Sequence, residues 1–256
     1  MPRIHPTALV DERATFGREV EIGPYAVIEE DVIIGDGTNV AAHAVIKRHT
    51  RLGCGNRIAE AVVIGGEPQD FKFKPCVSFV EIGDNNIIRE GVTIHRGSTE
   101  SAATRIGDRD FLMAFSHVGH DCRIGNDVVL ANASLLAGCV TVGDRAFISG
   151  AVAIHQFCRI GRLAMIGGSS KITQDALPFI ISDGSPGRAR AINLVGLKRG
   201  GIARPEIDSL KRAFRILRGA ADRRQLLADL RALQSPAVEE LAEFIAGSQR
   251  GFARCE

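Results

Sequence analysis

An apolar residue recurs at every sixth position of this 256-residue chain from Ile4 to Ile172, with only two interruptions. The first unbroken run ends at Ile64, a second covers residues 82–94, and a third begins at Ile106. A period of six fits neither the 3.6-residue repeat of an amphipathic helix nor the two-residue alternation of a strand. It is typical of a solenoid in which each hexad contributes one short strand and one turn.

Each hexad also carries a small or slender residue four positions after the apolar one, as at Ala26 and Ser116. We expect this pair to point inward and three hexads to make one triangular coil. One coil cannot bury its inner side chains alone, so coils must stack and pair their backbones at about 4.8 Å per coil. Glycine often follows the apolar residue, as at Gly17 and Gly35, and is predicted there as a turn residue with backbone angles closed to others.

Three departures from the repeat divide the chain. The two interruptions predict loops near 70–81 and 100–105, and the repeat stops near Ser182, just before a run of Asp, Gly, Ser and Pro. The sequence therefore predicts a mainly β protein, with a parallel β-helix over residues 1–182 and a small α-helical C-terminal domain over 183–256.

Signals for three helix starts lie in the C-terminal segment. Pro205 suits the first position of a helix, Asp222 followed by Gln225 resembles a capping box, and Ser235 precedes Pro236. We expect the apolar stripes of these helices to pack on the flank of the β-helix or on a neighbouring subunit.

Charge and cysteine content exclude several classes of protein. The net charge is only +2, which argues against a nucleic-acid partner. Six cysteines without a C-x-x-C pair are interpreted as reduced thiols in a cytoplasmic protein. The repeat begins at Ile4, which leaves no room for a signal peptide, and no apolar run reaches about 18 residues, so no stable membrane insertion is expected.

Histidines converge on one corner of the predicted coil. With three hexads per coil, His120, Gly138 and Gln156 fall in one vertical column. Once the second interruption is allowed for, His95 and His155 fall in the neighbouring column. We therefore expect these residues to share one external corner.

The His120 column can support acyl transfer to a hydroxyl group. Histidine has an ordinary pKa of about 6.5 and can take a proton from an attacking hydroxyl, so His120 is a candidate general base. The N–H of Gly138 could stabilise an oxyanion, although the residue could also be a plain turn glycine. Asp121 could orient the ring or contact the substrate, but side chains adjacent in sequence often point apart.

Four runs of sequence, at residues 94–97, 116–122, 151–158 and 193–199, resemble the hexapeptide-repeat acyltransferases. Among these, the chain resembles the UDP-N-acetylglucosamine acyltransferases that begin lipid A synthesis, over nearly its whole length. The resemblance implies a left-handed β-helix, a homotrimer and no cofactor. It also implies transfer of a 3-hydroxyacyl chain from acyl carrier protein to the 3-hydroxyl group of the UDP-sugar.

The same resemblance implies roles for individual residues. His120 is the general base and Gly138 the oxyanion donor. Substrate contacts are implied for Gln69, Asp70, Lys72, His95, His117, Asp121, Cys139, His155, Gln156, Gly168, Asn193 and Arg199.

Within that set, Asp70 and Lys72 are expected to contact sugar and phosphate from the neighbouring subunit, and Asn193 and Arg199 to contact the nucleotide. The first loop lies well below His120 along the prism, which also favours a trimer with sites between subunits. Gly168 corresponds to the position that limits acyl length. Glycine there favours a chain of about 12–14 carbons, each CH₂ adding about 0.8 kcal/mol of burial.

Two positions depart from the family pattern. Cys139 stands where the family usually has histidine, and Val195 stands where it has an acidic residue. Some relatives altered at the first position accept a 3-amino sugar, and an amine needs less assistance from a base than a hydroxyl does. Amide formation on a UDP-3-amino sugar is therefore an alternative.

Two alternatives belong to other classes of function. His117 and His120 form an H-x-x-H pair, which suggests a zinc enzyme like the γ-carbonic anhydrases. The spacing differs from that family and no third ligand is evident, so no metal is expected. A purely structural solenoid is the other alternative.

Overall fold

Short strands stack into three sheets that form the long faces of a prism. The structure, a computed structural model, describes residues 1–219 and 222–255. The first sheet contains β1 (Arg3–Ile4), β4 (Glu21–Ile22), β7 (Asn39–Val40), β10 (Arg57–Ile58), β13 (Ile87–Ile88), β16 (Phe111–Leu112), β19 (Val129–Leu130), β22 (Phe147–Ile148), β25 (Met165–Ile166), β27 (Ile180–Asp183) and β28 (Arg188–Ile192).

The other two sheets contain only parallel strands, so the predicted parallel β-helix is confirmed. The second sheet contains β2 (Leu9–Val10), β5 (Val27–Ile28), β8 (Val45–Ile46), β11 (Val63–Gly66), β14 (Thr93–His95), β17 (His117–Val118), β20 (Leu135–Leu136), β23 (Ala153–Ile154) and β26 (Lys171–Ile172). The third contains β3 (Thr15–Phe16), β6 (Ile33–Ile34), β9 (Thr50–Leu52), β12 (Phe79–Ile82), β15 (Ala103–Ile106), β18 (Arg123–Ile124), β21 (Thr141–Val142) and β24 (Arg159–Ile160).

The inward positions form one continuous apolar core along the prism axis. From Ile22 to Ile172, each apolar side chain of the six-residue repeat is at most 5% exposed. Ile4 belongs to the first coil, which has a neighbouring coil on only one side, and is 42% exposed. Burial by stacking, rather than within one coil, is thus what stabilises the repeat.

The turns differ from the prediction in the position of the left-handed residue. This residue lies three positions after the apolar one and is usually not glycine, as at Tyr25, whose φ is 58°. The glycines directly after the apolar residue serve another purpose. A Cβ atom on Gly35 would lie 2.6 Å from the carbonyl carbon of Gly53 in the next coil. Glycine is required there because stacked backbones approach closely.

Both interruptions of the repeat are insertions at one corner, where the chain passes from the second sheet to the third. We call this corner the cleft corner. The insertions are a long loop (67–78) and a short loop (96–102). Each follows a strand of the second sheet directly, so both loops lie beside the coils that carry His120 and Gly138.

The loop boundaries differ from the predicted 70–81 and 100–105. Residues 79–81 and 103–105 lie in the four-residue strands β12 and β15, which pair in register over their whole length. The six-residue period alone assigns these residues to loops. They belong to the sheet because β12 and β15 pair over four residues instead of two.

The segment after residue 182 begins as sheet rather than helix, contrary to the expectation of helices throughout. Strand β27 pairs parallel with β25 and antiparallel with β28, forming a hairpin at the end of the prism. The helices are α1 (Leu194–Arg199), α2 (Arg204–Gly219), α3 (Arg223–Arg231) and α4 (Pro236–Ala246). Helix α1 was not predicted.

The helix starts predicted at Asp222 and Ser235 are confirmed, and the helix predicted to begin at Pro205 begins one residue earlier. Pro205 is the second residue of α2, and Asp222 and Ser235 cap α3 and α4 through their side chains. The apolar faces of these helices join Leu163 and Phe179 of the last coils in a second core, so they pack on the β-helix of their own chain. In the described part of the chain, no helix combines the length and apolarity needed to cross a bilayer.

Candidate functional site

The stacked coils bring the predicted histidine corner together. Strand pairing matches Val118 with Leu136 and Leu136 with Ile154, so His120, Gly138 and Gln156, each two residues later, form one column. The pairing of β14 with β17 places His95 beside Gly119 in the neighbouring column. The predicted arrangement at the cleft corner is confirmed for these residues.

A cleft of about 810 Å³ opens at this corner. Its lining includes most of the predicted site residues and both apolar and polar groups. The lining residues are Gln69, Asp70, Phe71, Lys72, His95, His117, Gly119, His120, Leu135, Leu136, Ala137, Gly138, Ala153, Ile154, Gln156 and Phe157.

The His120 ring is held by the residue that follows it. Its Nδ1 lies 2.7 Å from the Asp121 carboxylate. The two adjacent side chains meet because Asp121 occupies the left-handed turn position, with a φ of 59°. The sequence alone does not predict this contact, because the residue type at position 121 does not reveal the left-handed turn that produces it.

The carboxylate of Asp121 is itself fixed. Both of its oxygens accept from the Ser98 N–H at 3.2 Å, and its own N–H donates to the Thr104 hydroxyl at 2.8 Å. Burial would raise the pKa of Asp121, but the hydrogen bonds from Ser98 and His120 outweigh burial and lower it. Asp121 is therefore an ionised acceptor, which favours the His120 tautomer with its proton on Nδ1 and Nε2 free.

Gly138 lies directly against the free nitrogen. A Cβ atom added to Gly138 would lie 2.4 Å from His120 Nε2, so only glycine leaves room for the ring. In the described part of the chain, the Gly138 N–H donates no hydrogen bond. Pro6 and Pro24 occupy the same position within the turn at another corner, between the first and second sheets, so the turn does not need an N–H there. The Gly138 N–H is thus available to a ligand.

Two further histidines line the cleft as neutral rings. The rings of His95 and His117 lie edge to face, with centroids 4.8 Å apart. Burial, together with the neighbouring His117 and His120, lowers the pKa of His95 to about 4. Burial also lowers the pKa of His117, whose Nδ1 lies 2.7 Å from the Thr93 hydroxyl. At neutral pH, both rings can hydrogen-bond a sugar without carrying charge.

The long loop lies in the same cleft as His120 of its own chain. Gln69, Asp70 and Lys72 all line it, so the loop already reaches His120 within one chain and its position does not by itself favour a partner subunit. The reason is that the loop is inserted at the cleft corner and reaches along it.

Two aromatic residues of the cleft were missed by the sequence argument. Phe71 lies beside Asp70 in the long loop, and Phe157 follows Gln156 in its turn. Both are strongly exposed, Phe71 fully and Phe157 by 54%. The sequence signal that could have identified Phe71 and Phe157 is a large apolar residue at a position that points outward from the coil.

Six predicted residues lie outside the lining of this cleft. Asp121 and Cys139 lie beside His120, and the other four are farther along the prism. His155 is at the cleft corner but exposed, with Nδ1 3.2 Å from the Gln156 carbonyl oxygen. Gly168 lies at the corner between the first and second sheets, where an added Cβ would be 3.6 Å from the nearest atom. Asn193 and Arg199 line a second cleft of about 550 Å³ beside the first sheet, together with Val195.

Asn193 has a structural role in that second cleft. Its side chain accepts from the Gly196 N–H and donates to the Leu163 carbonyl, both at 2.9 Å, and so caps α1 and ties it to the last coils.

Cys139 lies next to the His120 column and is partly buried. Burial, followed by the negative charges of Asp121 and Asp70, raises the pKa of its thiol. Across residues 1–219 and 222–255, one group of three side chains could supply metal ligands, namely His120, Asp121 and Cys139, whose ligand atoms lie within 4.8 Å of one another. His117 is not in that group, so the H-x-x-H pair does not form it.

Sequence profiles match both parts of the chain. Residues 13–48 match the bacterial transferase hexapeptide repeats, and residues 175–253 match the second domain of UDP-N-acetylglucosamine O-acyltransferase.

Full-length relatives agree. The chain is 46% identical to the acyl-(acyl carrier protein)–UDP-N-acetylglucosamine O-acyltransferase of Alkalilimnicola ehrlichii, covering 99% of this chain and 100% of that protein. It is 42% identical to the enzyme of the same name from Burkholderia orbicola, with the same coverage.

Solved structures match over the same extent. The crystal structure of a UDP-N-acetylglucosamine acyltransferase from Bacteroides fragilis superposes with a TM-score of 0.95 at 39% identity, covering 98% of this chain and 99% of that one. That of Campylobacter jejuni gives 0.94 at 37%, covering 99% and 100%. The left-handed coil implied by the sequence resemblance is confirmed by these matches, and the chain belongs to the family of UDP-N-acetylglucosamine O-acyltransferases.

Proposed function

We propose that this protein transfers a 3-hydroxyacyl chain from acyl carrier protein to the 3-hydroxyl group of UDP-N-acetylglucosamine, the first step of lipid A synthesis. The observation that carries the mechanism is the stack of His120 on Gly138, with Nδ1 held by Asp121 and Nε2 open to the cleft. The names of the full-length relatives support the same two substrates.

The reaction forms one bond and breaks one. His120 Nε2 takes the proton from the sugar 3-hydroxyl as its oxygen attacks the thioester carbonyl carbon. The carbonyl oxygen becomes an oxyanion that accepts from the Gly138 N–H. The intermediate then expels the pantetheine thiolate, which receives the proton from His120. Asp121 stays ionised and stabilises the charged ring between these steps.

Other cleft residues then position the acceptor. Lys72 supplies a positive charge that suits a phosphate, and the neutral His95 and His117 rings, with Asp70 and Gln156, suit sugar hydroxyl and amide groups. The exposed positions of Phe71 and Phe157 suit contact with the acyl chain.

A homotrimer is part of the proposal. Asn193 and Arg199 line a different cleft from His120. One nucleotide sugar could contact His120 together with Asn193 and Arg199 only if two chains bring their two clefts together. Exposed apolar side chains on the first and second sheets, including Phe147 and Leu135, offer faces for such packing.

The division of labour between domains is also proposed. Every residue that lines the His120 cleft lies within 1–182, so this part would carry the chemistry, and 183–256 would supply the Asn193 and Arg199 contacts. All six cysteines are free thiols, which supports a cytoplasmic location.

The second candidate is the same transfer to the amine of a UDP-3-amino sugar, and Cys139 favours it. Its raised pKa keeps the thiol protonated, so Cys139 offers the cleft no second base beside His120. An amine acceptor tolerates this better than a hydroxyl does.

The test is an assay of the purified enzyme with 3-hydroxyacyl carrier proteins of several chain lengths and both acceptors. Ester formation on UDP-N-acetylglucosamine supports the first candidate, amide formation alone supports the second, and no transfer to either contradicts both. His120→Ala should reduce turnover by about 10²–10⁴-fold with unchanged thermal stability. His5→Ala, in the first coil, is the matched control and should remain active.

A further inference from the structure

The proposed base and two side chains beside it could also act as metal ligands. His120, Asp121 and Cys139 bring an imidazole nitrogen, a carboxylate oxygen and a thiol sulfur within 4.8 Å of one another. Asp121 and Cys139 are matched positions of consecutive coils, and both adopt the left-handed turn conformation, which turns them to the same side of the corner. None of the three is fully buried, and His120 opens onto the cleft.

This donor set suits zinc. Nitrogen, oxygen and sulfur are all common zinc ligands, and sites with three protein ligands keep a fourth position for water. Bonds of about 2.0–2.3 Å in a tetrahedral site place ligand atoms about 3.5 Å apart. The ligand atoms of the three side chains are at most 4.8 Å apart, which exceeds that spacing by about 1.3 Å at most. Magnesium and calcium, which prefer oxygen ligands, fit the set poorly.

The local charge also suits a divalent cation. The negative charges of the Asp121 and Asp70 carboxylates both act on Cys139. The same charges would attract a zinc ion, which then displaces the thiol proton.

We infer that His120, Asp121 and Cys139 form a zinc site whose occupation inhibits acyl transfer. Inhibition rests on the proposed role of His120 as the base. If zinc binds Nε2, it removes the base directly. If zinc binds Nδ1, it forces the ring proton onto Nε2 and breaks the bond to Asp121. Either way, His120 cannot take a proton from the acceptor.

Binding is measured first, without reference to activity. Untagged protein competes with a chromophoric chelator for zinc, and the wild type is compared with Cys139→Ala and Cys139→Ser. We expect one zinc ion per chain, affinity that rises with pH as the thiol loses its proton, and at least tenfold weaker binding in both variants. Cys54→Ala, which alters an exposed thiol outside the cleft, should bind as the wild type does.

Inhibition is then measured for each protein relative to its own zinc-free rate. We expect Cys139→Ala to need at least tenfold more zinc for half-inhibition than the wild type. Absence of micromolar zinc binding, or equal binding by Cys139→Ala, would overturn the site and leave the role of His120 intact. Zinc bound through Cys139 without inhibition would overturn the inhibitory role and contradict His120 as the base.

Discussion

Arg96 donates from its guanidinium to the Glu67 carboxylate at 3.2 Å, although the Arg96 side chain is only 8% exposed and that of Glu67 is 64% exposed. The Arg96 guanidinium also lies 5.7 Å from the ring of Phe73. Glu67 and Phe73 both belong to the long loop (67–78), while Arg96 follows the cleft residue His95. Arg96 therefore links the loop to the strand that carries His95.

We predict that Arg96→Met weakens binding of the UDP-sugar more than it slows the chemical step, because the loop bearing Asp70 and Lys72 loses its anchor. The expected result is a KM for the nucleotide sugar raised about tenfold, with a smaller change in kcat, and faster hydrogen exchange in the loop. Arg96→Lys should recover part of the loss.

Arg89→Ala is the matched control, since Arg89 is exposed and pairs with the neighbouring Glu90. It removes the same charge without touching the loop and should leave KM unchanged. Equal effects of the two changes, or a lower kcat at unchanged KM, would contradict a positioning role for Arg96.

Gly138→Ala tests the close contact with the ring. The new methyl group would lie 2.4 Å from the original position of Nε2, so the His120 ring must move. Because misplacement of a catalytic group by about 1 Å can cost about 10²-fold, we expect kcat to fall by that order while the fold is retained. Gly150→Ala, where the nearest atom would be 3.3 Å away, is a milder control. Full activity of Gly138→Ala would disprove the stacked arrangement.

Asp121→Asn tests the tautomer of His120. The amide can donate to Nδ1, which would leave the proton on Nε2 and remove the base. We therefore expect a loss of about 10²-fold or more in kcat, at least as large as for Asp121→Ala, which leaves the ring free to change tautomer. Steady-state kinetics and melting temperatures of both variants check this. A more active Asp121→Asn than Asp121→Ala would contradict the proposed orientation.

The sequence predicted the coil because its signal is repeated and purely local. An apolar residue such as Ile94 or Leu136 must point inward wherever the six-residue period holds, and counting residues then places His120 below Gly138. Features that depend on pairing between distant segments could not be read in the same way. The strand at Arg188–Ile192 exists because it pairs with Ile180–Asp183, not because its residues favour a strand over a helix.

The site was predicted less completely than the fold. The contact between His120 and Asp121 depends on a left-handed turn residue, and that position holds residues as different as Tyr25 and Ala133, so composition does not reveal it. The path of the long loop also has no repeat to follow, which is why its place beside His120 of the same chain was missed.

A ladder of polar side chains inside the prism leads to a prediction about pH. Side chains of Thr38, Asn56 and Asn86 each donate to a glycine carbonyl of the next coil at 2.9 Å. Asp110 takes the next place in the ladder, and its buried Oδ2 has no hydrogen-bond partner within residues 1–219 and 222–255. A protonated Asp110 could donate to the Gly125 carbonyl and continue the ladder.

Burial, reinforced by the charges of Asp127, Asp108 and Asp144, raises the pKa of Asp110 from 3.8 to about 7, while a backbone N–H opposes the shift. The folded state thus holds a proton that the unfolded state releases near pH 4. Stability should fall as pH rises from about 4 to 7 and then level off.

Asp110→Asn supplies the missing donor without a titrating group. We expect it to be more stable than the wild type at pH 8 by a few kcal/mol, with a much smaller gain at pH 4. Urea unfolding gives the free energy of unfolding of both proteins at each pH. The contributions of other titrating groups cancel when the wild-type value is subtracted from that of the variant. A gain that does not depend on pH would show that Asp110 does not bind the proton.

Because the coils pair in register, groups in one column of the cleft are separated by whole steps of about 4.8 Å. A substitution can change which group occupies a step, but it cannot slide His120 a fraction of a step toward Gln156. Specificity in such a cleft therefore changes in discrete steps, by exchanging the side chain of one coil or by inserting whole coils of three hexads, rather than by gradual adjustment.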